Sequence, residues 1–406
     1  MRSVLSVLVS AAFLLSGSGL LATSLGIRLA SDGRSLGLAG LVVSAFAVGL
    51  VLGSWRAHRV IEKVGHIRAF AGFCALAAAA ALGISLVESP PLWALLRVLQ
   101  GFVMGGCYLV IESWLGGSTT PERRGRVLAA YITVSQVALA FGQLLVTWGS
   151  ASTALSLAAL SFALALVPVA WTRTAPPKLS EAAGLGLFEV VGRAPLAAAG
   201  CFVSGCTVGS LLNLGAVFAT ALGANVDQAA AFISSAVLGG LALQWPVGFL
   251  ADRWDRRLLI ELIAVATVGG ATLVLWASAL PLATWGASAL ALGGFVLGAA
   301  CFVLYPVSVA HAHDRVSSGD SVSASAAMVL AYGVGSAAAP LVLSGVLELA
   351  GPRALPLGIA LVNAALGVLS LVRLLQRLGR ARRRVAFAPV ALPQVAPRAE
   401  LEAQER

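Results

Sequence analysis

Twelve apolar stretches, each close to the length that carries a helix across a hydrocarbon layer, constrain this chain more than any other feature. They fall near residues 4–27, 36–54, 69–87, 92–111, 127–149, 152–172, 195–221, 229–250, 258–280, 282–305, 323–346 and 354–372. At about 1.5 Å rise per residue, roughly 20 residues cross the apolar core of a bilayer. Backbone polar groups find no water there, so each stretch must be a helix. A β-barrel would need short segments of alternating polarity, which the chain lacks. Charged residues are 11% of the 406, against about 25% in soluble domains. The predicted fold is an all-α integral membrane protein with twelve transmembrane helices. Arg2 ahead of the first stretch imitates a secretory signal. That stretch is too long for the apolar part of a signal and eleven like it follow, so it is read as a retained helix.

The net charge of +10 raises the question of nucleic acid, and its distribution answers it. With the N-terminus inside and sides alternating, 23 of the 27 Lys and Arg residues fall inside and only Arg28, Arg34 and Arg353 outside, with Arg97 left in the membrane. Retention of cations on the cytoplasmic side therefore predicts both termini in the cytoplasm of a cell whose inner membrane holds the chain. Trp55, Trp114, Trp171 and Trp254 fall near inner helix ends and Trp93, Trp148, Trp276 and Trp285 near outer ones, the expected aromatic belt. Cys74, Cys107, Cys201, Cys206 and Cys301 lie inside predicted helices and are read as small buried apolar side chains.

Two connections are long. Residues 173–193 form a central cytoplasmic loop between an N-terminal bundle, 1–172, and a C-terminal bundle, 194–375. Residues 376–406 open with Arg377, Arg380 and Arg382 and are expected to be a disordered tail resting on anionic lipid headgroups. The halves repeat. Gly101-Phe102-Val103-Met104-Gly105-Gly106 aligns with Gly294-Phe295-Val296-Leu297-Gly298-Ala299 at an offset of 193 residues. The charged loop holding Glu62, Lys63, Gly65 and Arg68 aligns with the one holding Asp252, Arg253, Arg256 and Arg257 at an offset of 190. Two markers at nearly one offset predict two pseudo-symmetric six-helix bundles with a binding site between them near the midplane.

The segment Gly248-Phe249-Leu250-Ala251-Asp252-Arg253-Trp254-Asp255-Arg256-Arg257 resembles the loop signature of the major facilitator superfamily of transporters, with Asp255 in place of a usual glycine. Arg97-Val98-Leu99-Gln100-Gly101 resembles the Arg-x-x-Gln-Gly pattern of many drug and metabolite carriers in that superfamily. The resemblance implies alternating access by rocking of the two bundles. Residues of both loops, Gly248 included, are then expected to act as gate latches, together with Arg123 and Arg124 after the fourth helix. Asp252 is expected to cap a neighbouring helix, and the arginines to pair with acids of adjacent loops.

Within the membrane, the fourth helix is the most informative. Arg97, Gln100, Met104, Tyr108 and Glu112 are spaced so that all lie within some 60° of Arg97 around the helix. A charged residue in a membrane helix faces the protein interior or a water-filled cavity, so this stripe points inward. Arg97 and Glu112 lie about 22 Å apart and cannot pair. Arg97 is a candidate for an anionic substrate group or proton-linked gating, or else a donor to carbonyls of neighbouring helices. Glu112 is a candidate for proton carriage or for a gate pair with Arg123–Arg126. Gln136, Gln143, Asn213, Gln244 and Tyr332, with the other three tyrosines Tyr108, Tyr131 and Tyr305, could line a cavity or join helices as packing glue. His311 and His313 alone do not make a metal site, and no cofactor is expected.

These readings converge on a monomeric secondary transporter for a small organic solute, with export of hydrophobic or drug-like compounds coupled to protons placed ahead of metabolite uptake or exchange. The first helix carries serines but no carboxylate, and the fifth lacks a Gly-Pro pair; both depart from the drug/proton antiporters of the superfamily. A Gly-rich nucleotide loop is missing, which gives ATP-driven transport no support. A membrane sensor with a transporter fold would need a signalling domain that a featureless tail does not supply. An enzyme would need a convergent acid–base cluster, and Arg97 and Glu112 are too far apart to form one.

Overall fold

The structure is a computed structural model that describes residues 2–117, 121–171, 187–316 and 321–382. The side chains of 116–126 lie outside the description, and with them the latch roles expected of Arg123 and Arg124. Fourteen α-helices carry the described residues: α1 (Arg2–Ser31), α2 (Leu36–Val64), α3 (His66–Leu86), α4 (Pro90–Gly117), α5 (Pro121–Leu144), α6 (Ala151–Ala170), α7 (Leu187–Arg193), α8 (Pro195–Ala221), α9 (Val226–Ala251), α10 (Arg256–Ala277), α11 (Ala287–Cys301), α12 (Leu304–His313), α13 (Ser321–Ala350) and α14 (Ala354–Arg382). Twelve spans among them are long and apolar enough to cross a membrane. The tenth is composite, running from a π-helical turn at Leu282–Gly286 through α11 and α12.

Several helices outrun their apolar stretches. Helix α2 continues past Ser54 to Val64, so Arg56, Arg59, Glu62 and Lys63 are helical and not loop. A helix needs apolar side chains only where lipid surrounds it, and its backbone bonds persist into water. What stops α2 is Gly65, whose φ of 84° suits glycine and whose N–H bonds to Ile61 O. Helix α14 likewise runs to Arg382, so 376–382 are helical where a disordered tail was expected; arginines near a helix C-terminus are favoured by its dipole. The rest of the tail, 383–406, lies outside the described residues. The last part of the central loop forms α7, which buries Val190 in a cluster with Ala197, Cys201, Ala324 and Met328.

The tenth span breaks where its proline demands it. Pro306 has no N–H to offer Phe302 O, and its ring crowds that carbonyl. The helix is interrupted at Phe302–Val303, between α11 and α12.

Packing repeats with the sequence. Pairs α1·α5, α1·α6, α2·α4, α3·α4 and α3·α6 build the first bundle. Their counterparts α8·α13, α8·α14, α9·α11, α10·α11 and α10·α14 build the second. The repeated glycines sit at equivalent crossings. A Cβ on Gly101 would overlap Phe46 O of α2, and one on Gly298 would overlap Ala236 O of α9. Gly239 packs as tightly against Phe295 O, and Gly105 less tightly against Ser54 N. Small residues let membrane helices approach closely enough for dispersion contacts to hold them.

The expected aromatic belt holds only in part. Trp148, Trp171 and Trp285 are widely exposed, but Trp93 and Trp114 are buried. The Trp93 indole donates to Val87 O at 2.6 Å, and the Arg28 guanidinium covers its ring at 4.9 Å. The five cysteines are buried and free.

Candidate functional site: a cleft between two bundles

Across the bundles, α2 packs on α13, α5 on α9 and α1 on α8. The start of α1 and the end of α14 lie at one end of the molecule, and these contacts gather toward the far end. There Gly26 of α1 lies against Ala216 of α8, and Gly40 of α2 against Ser344 of α13. Ser234 Oγ of α9 donates to Ala140 O of α5 at 3.3 Å. Glu348 of α13 accepts from the Gly37 N–H of α2 at 2.7 Å. This N–H belongs to the first turn of α2, where free donors and the helix dipole favour an anion. The carboxylate of one bundle thus caps a helix of the other.

Toward the terminal end the bundles separate. Among the described residues α4 has no extended packing with α12 or α13. Glu112 and Tyr108 lie on α4, Tyr131 on α5, Tyr305 on α12 and Tyr332 on α13. Tyr305 and Tyr332 meet edge to face, ring centroids 5.1 Å apart. Glu112 is exposed, and the four tyrosines are half-buried. The exposed Glu112 lies on the inward stripe of α4, toward the end where the bundles part. No ion pair to Glu112 forms among the described residues.

The inward stripe on α4 therefore divides. Its far half is sealed. Arg97 is 1% exposed and Gln100 fully buried. Arg97 Nη1 donates to Gln100 Oε1, Nη2 donates to Val43 O of α2 at 3.3 Å, and the guanidinium lies 4.7 Å over the Phe46 ring. Arg97 Nε and Gln100 Nε2 have no partner. The arginine is a fork joining α4 to α2 within one bundle. The near half, Tyr108 and Glu112, opens to the cleft.

The single amides scatter. Gln143 is buried against Gly19 of α1, and Asn213 is buried with its amide donating to Gly209 O one turn back. Gln136 and Gln244 are half-buried. None of the four is joined to the Glu112 cluster by a hydrogen bond.

The charged loop after α9 is built differently from expectation. Asp255, not Asp252, caps α10, its Oδ1 accepting from Arg257 N at 2.9 Å. The departure from the usual glycine thus has a capping role. Arg256 bonds Asp314 at the end of α12 and donates to Ala310 O. Arg253 stacks on Phe249 at 3.6 Å. These ties hold α9, α10 and α12 of one bundle together. Gly248 has open space around it. In the first-half loop, Glu62, Lys63 and Arg68 are exposed. His313 bonds Ser325, and no group of three metal-ligating side chains occurs among the described residues.

Three polar residues escaped the sequence reading. Glu348 lies two residues beyond the apolar stretch 323–346. Glu261 of α10 is a second carboxylate within an apolar stretch, half-buried near Gly367 with Oε2 unpartnered. Asn363 of α14, fully buried, donates to Thr207 Oγ1 of α8 at 2.7 Å. An acid or amide inside an apolar run was the available signal for the last two.

The profile described as Major Facilitator Superfamily matches residues 7–286 and 197–398. An MFS-type transporter of Yersinia pestis (strain Pestoides F) is 30% identical over 312 residues, 75% of this chain and 78% of the relative. The MFS-type transporter YcaD of Escherichia coli O17:K52:H18 (strain UMN026 / ExPEC) is 30% identical over 349 residues, 84% of this chain and 87% of the relative. Among solved structures, the nucleoside transporter NupG superposes with TM-score 0.76 at 15% identity, covering 93% of this chain and 99% of NupG. A bacterial homolog to the human lysosomal transporter Spinster, in an inward-facing conformation, superposes with TM-score 0.64 at 14% identity, covering 95% of this chain and 98% of its own. At such identities these two speak for the fold. Profile, relatives and a doubled six-helix architecture agree: the chain belongs to the major facilitator superfamily of transporters.

Proposed function

We propose that this transporter exports amphipathic organic solutes from the cell by alternating access, driven by protons, as a monomer in the cell inner membrane with both termini in the cytoplasm. The observation that carries the reading is the asymmetry between the two ends of the bundle interface. The far end is closed by backbone-level contacts between bundles, and toward the terminal end Glu112 stands exposed on the inward stripe of α4. In this reading a solute entering there meets few charged side chains of the membrane spans, which suits a hydrophobic compound better than a sugar. The excess of Lys and Arg at the terminal end supports its cytoplasmic placement, and the basic tail is suited to anionic lipid. Arg97 serves in this reading as the fixed link that makes α2 and α4 move together. The test is flux in proteoliposomes of the purified chain across a panel of amphipathic compounds, with and without an imposed proton gradient. Gradient-dependent movement of some panel members is expected. Background flux across the whole panel under both conditions refutes the reading.

A further inference from the structure

A groove of about 560 Å³ opens on the side of the second bundle, between α8, α13 and α14. Helices α13 and α14 are joined by a tight turn at Gly351, whose φ of 78° suits glycine. Each is tied to α8 by its own contacts. Gly205 and Gly209 of α8 lie against the α13 backbone at Tyr332 and Ser336, and Thr207 of α8 accepts from Asn363 of α14. Between those ties and the turn, α13 and α14 touch little, and α8 forms the floor of the gap. Apart from Cys206 and Ser210 on that floor, the lining is apolar. Val342 of α13 and Leu357 and Leu361 of α14, on the rims, are exposed. From Ala350 to Ala338 the groove follows α13, a run of about 18 Å at 1.5 Å per residue. One leaflet of a bilayer's hydrocarbon core is about 15 Å deep. The groove thus starts at the far end of the molecule and reaches the middle of the membrane. Arg353 stands exposed at its mouth, one residue before the wall at Ala354. One Nη donates to Ser278 O at 3.3 Å, and Arg353 forms no ion pair among the described residues.

We propose that this groove holds one acyl chain of a phospholipid from the leaflet at the far end, with the lipid phosphate meeting Arg353. Lipid chains are as apolar as the groove, so no hydrophobic force draws one in. What the groove offers is dispersion contact with protein on three sides, where an open helix face offers one. The guanidinium at headgroup level adds a charge-assisted contact to the phosphate. A polar solute would leave its hydrogen bonds unmet among these side chains. The opposite face of α13 carries Ser344 and Glu348, which meet Gly40 and Gly37 of α2. A chain in the groove therefore backs the helix that closes the far end. Lipid occupancy and far-end closure are linked, each favouring the other.

The test is native mass spectrometry of the purified full chain in detergent with added dioleoyl phosphatidylglycerol. One lipid retained at saturation is expected. Ala339→Trp puts an indole into the groove and should remove that lipid, while Ala79→Trp, the same change on an exposed position of α3, should keep it. Arg353→Gln should weaken retention roughly two- to fivefold, the scale of an exposed charge contact. Thermal unfolding reads the same site another way. The lipid should raise the unfolding temperature of the unaltered chain and of Ala79→Trp, and leave that of Ala339→Trp where it is. Val342→Trp, at an exposed position on the rim, repeats the test should Ala339→Trp fail to fold. Retention that is equal in the unaltered chain and in both tryptophan variants, or lost equally in Ala339→Trp and Ala79→Trp, overturns the site. Diacylglycerol held as firmly as phosphatidylglycerol, with Arg353→Gln unchanged, overturns the phosphate contact.

Discussion

Removing the Glu348 carboxylate should loosen the far end of the molecule by a measurable amount. The carboxylate accepts one hydrogen bond, 2.7 Å from Gly37 N, at the positive end of α2. A hydrogen bond with one charged partner contributes about 1.5–3 kcal/mol when sheltered, and an anion at a helix N-terminus about 0.3–1 kcal/mol. Glu348 is exposed, and screening reduces such terms, so about 1 kcal/mol is the working figure. Since 1.4 kcal/mol is a factor of ten, Glu348→Ala should raise the population open at the far end about fivefold. Glu348→Gln keeps an acceptor but not the charge, and should fall between Ala and the unaltered chain. Gly37→Ala attacks the same contact from the other side, since its Cβ would lie 3.3 Å from Glu348 Oε2. Spin labels at Leu86→Cys and Leu349→Cys, on opposite bundles at positions 79% and 90% exposed, report the separation by double electron–electron resonance. The native cysteines are all buried, which limits background labelling. A long-distance population that does not grow in Glu348→Ala refutes the idea that this contact holds the far end closed.

Other substitutions separate packing from chemistry. Gly298→Ala forces a methyl group into Ala236 O and should lower stability by about 1–3 kcal/mol, read as an earlier thermal unfolding in detergent, whereas Gly248→Ala meets open space and should leave it within about 0.5 kcal/mol. Arg97→Ala removes the fork to Val43 O and Gln100 and should abolish transport while folded protein is still recovered. Arg97→Lys, which keeps the charge without the planar fork, should restore little; wild-type flux in either variant would take the residue out of the mechanism. Asn363→Leu breaks the tie from α14 to Thr207 of α8 and should cost about 0.6–2 kcal/mol, measured by the same unfolding assay. Pro306→Ala returns an N–H facing Phe302 O and should straighten the tenth span, seen as a changed label-to-label distance between α11 and α12.

The twelve spans and the doubling were legible because bilayer thickness and helix rise leave few choices. The repeated glycines were legible as small residues at close crossings, but the structure pairs Gly101 with Gly298, against Phe46 O and Ala236 O, one helical turn from the register of 193 read in the sequence. The break near Pro306 followed from a missing donor. Helix ends were less legible. Hydropathy marks the edge of lipid, while α2 ends where Gly65 adopts a backbone that other residues resist. Trp93 shows the same limit. Its position near a helix end suggested the membrane interface, but Arg28 and Val87 O supply it with a cation and an acceptor inside the protein. The α4 stripe was legible as a direction and only in part as a site. Periodicity tells which way Arg97 and Glu112 point, and not whether another helix already stands there. Phe46 and Val43 fill the space before Arg97, whereas Glu112 stays exposed.

That difference bears on how the machine stores its preference for one state. At the far end the bundles meet through glycines, backbone carbonyls and a carboxylate capping a foreign helix, contacts that form only when the surfaces are close. At the terminal end the ion pairs Arg256 with Asp314 and Arg193 with Glu189 each lie within one half of the chain and would survive a rocking motion unchanged. The inter-bundle cost of switching therefore falls on the far-end seam and on whatever occupies the cleft. A ligand shifts such an equilibrium only by its difference in affinity between the two states. Closing the terminal end would bring Glu112 of one bundle nearer to Tyr305 and Tyr332 of the other, so the attraction a solute gains by touching both can offset what the seam loses. A solute that touches a single bundle gains nothing on closure and would bind without being moved.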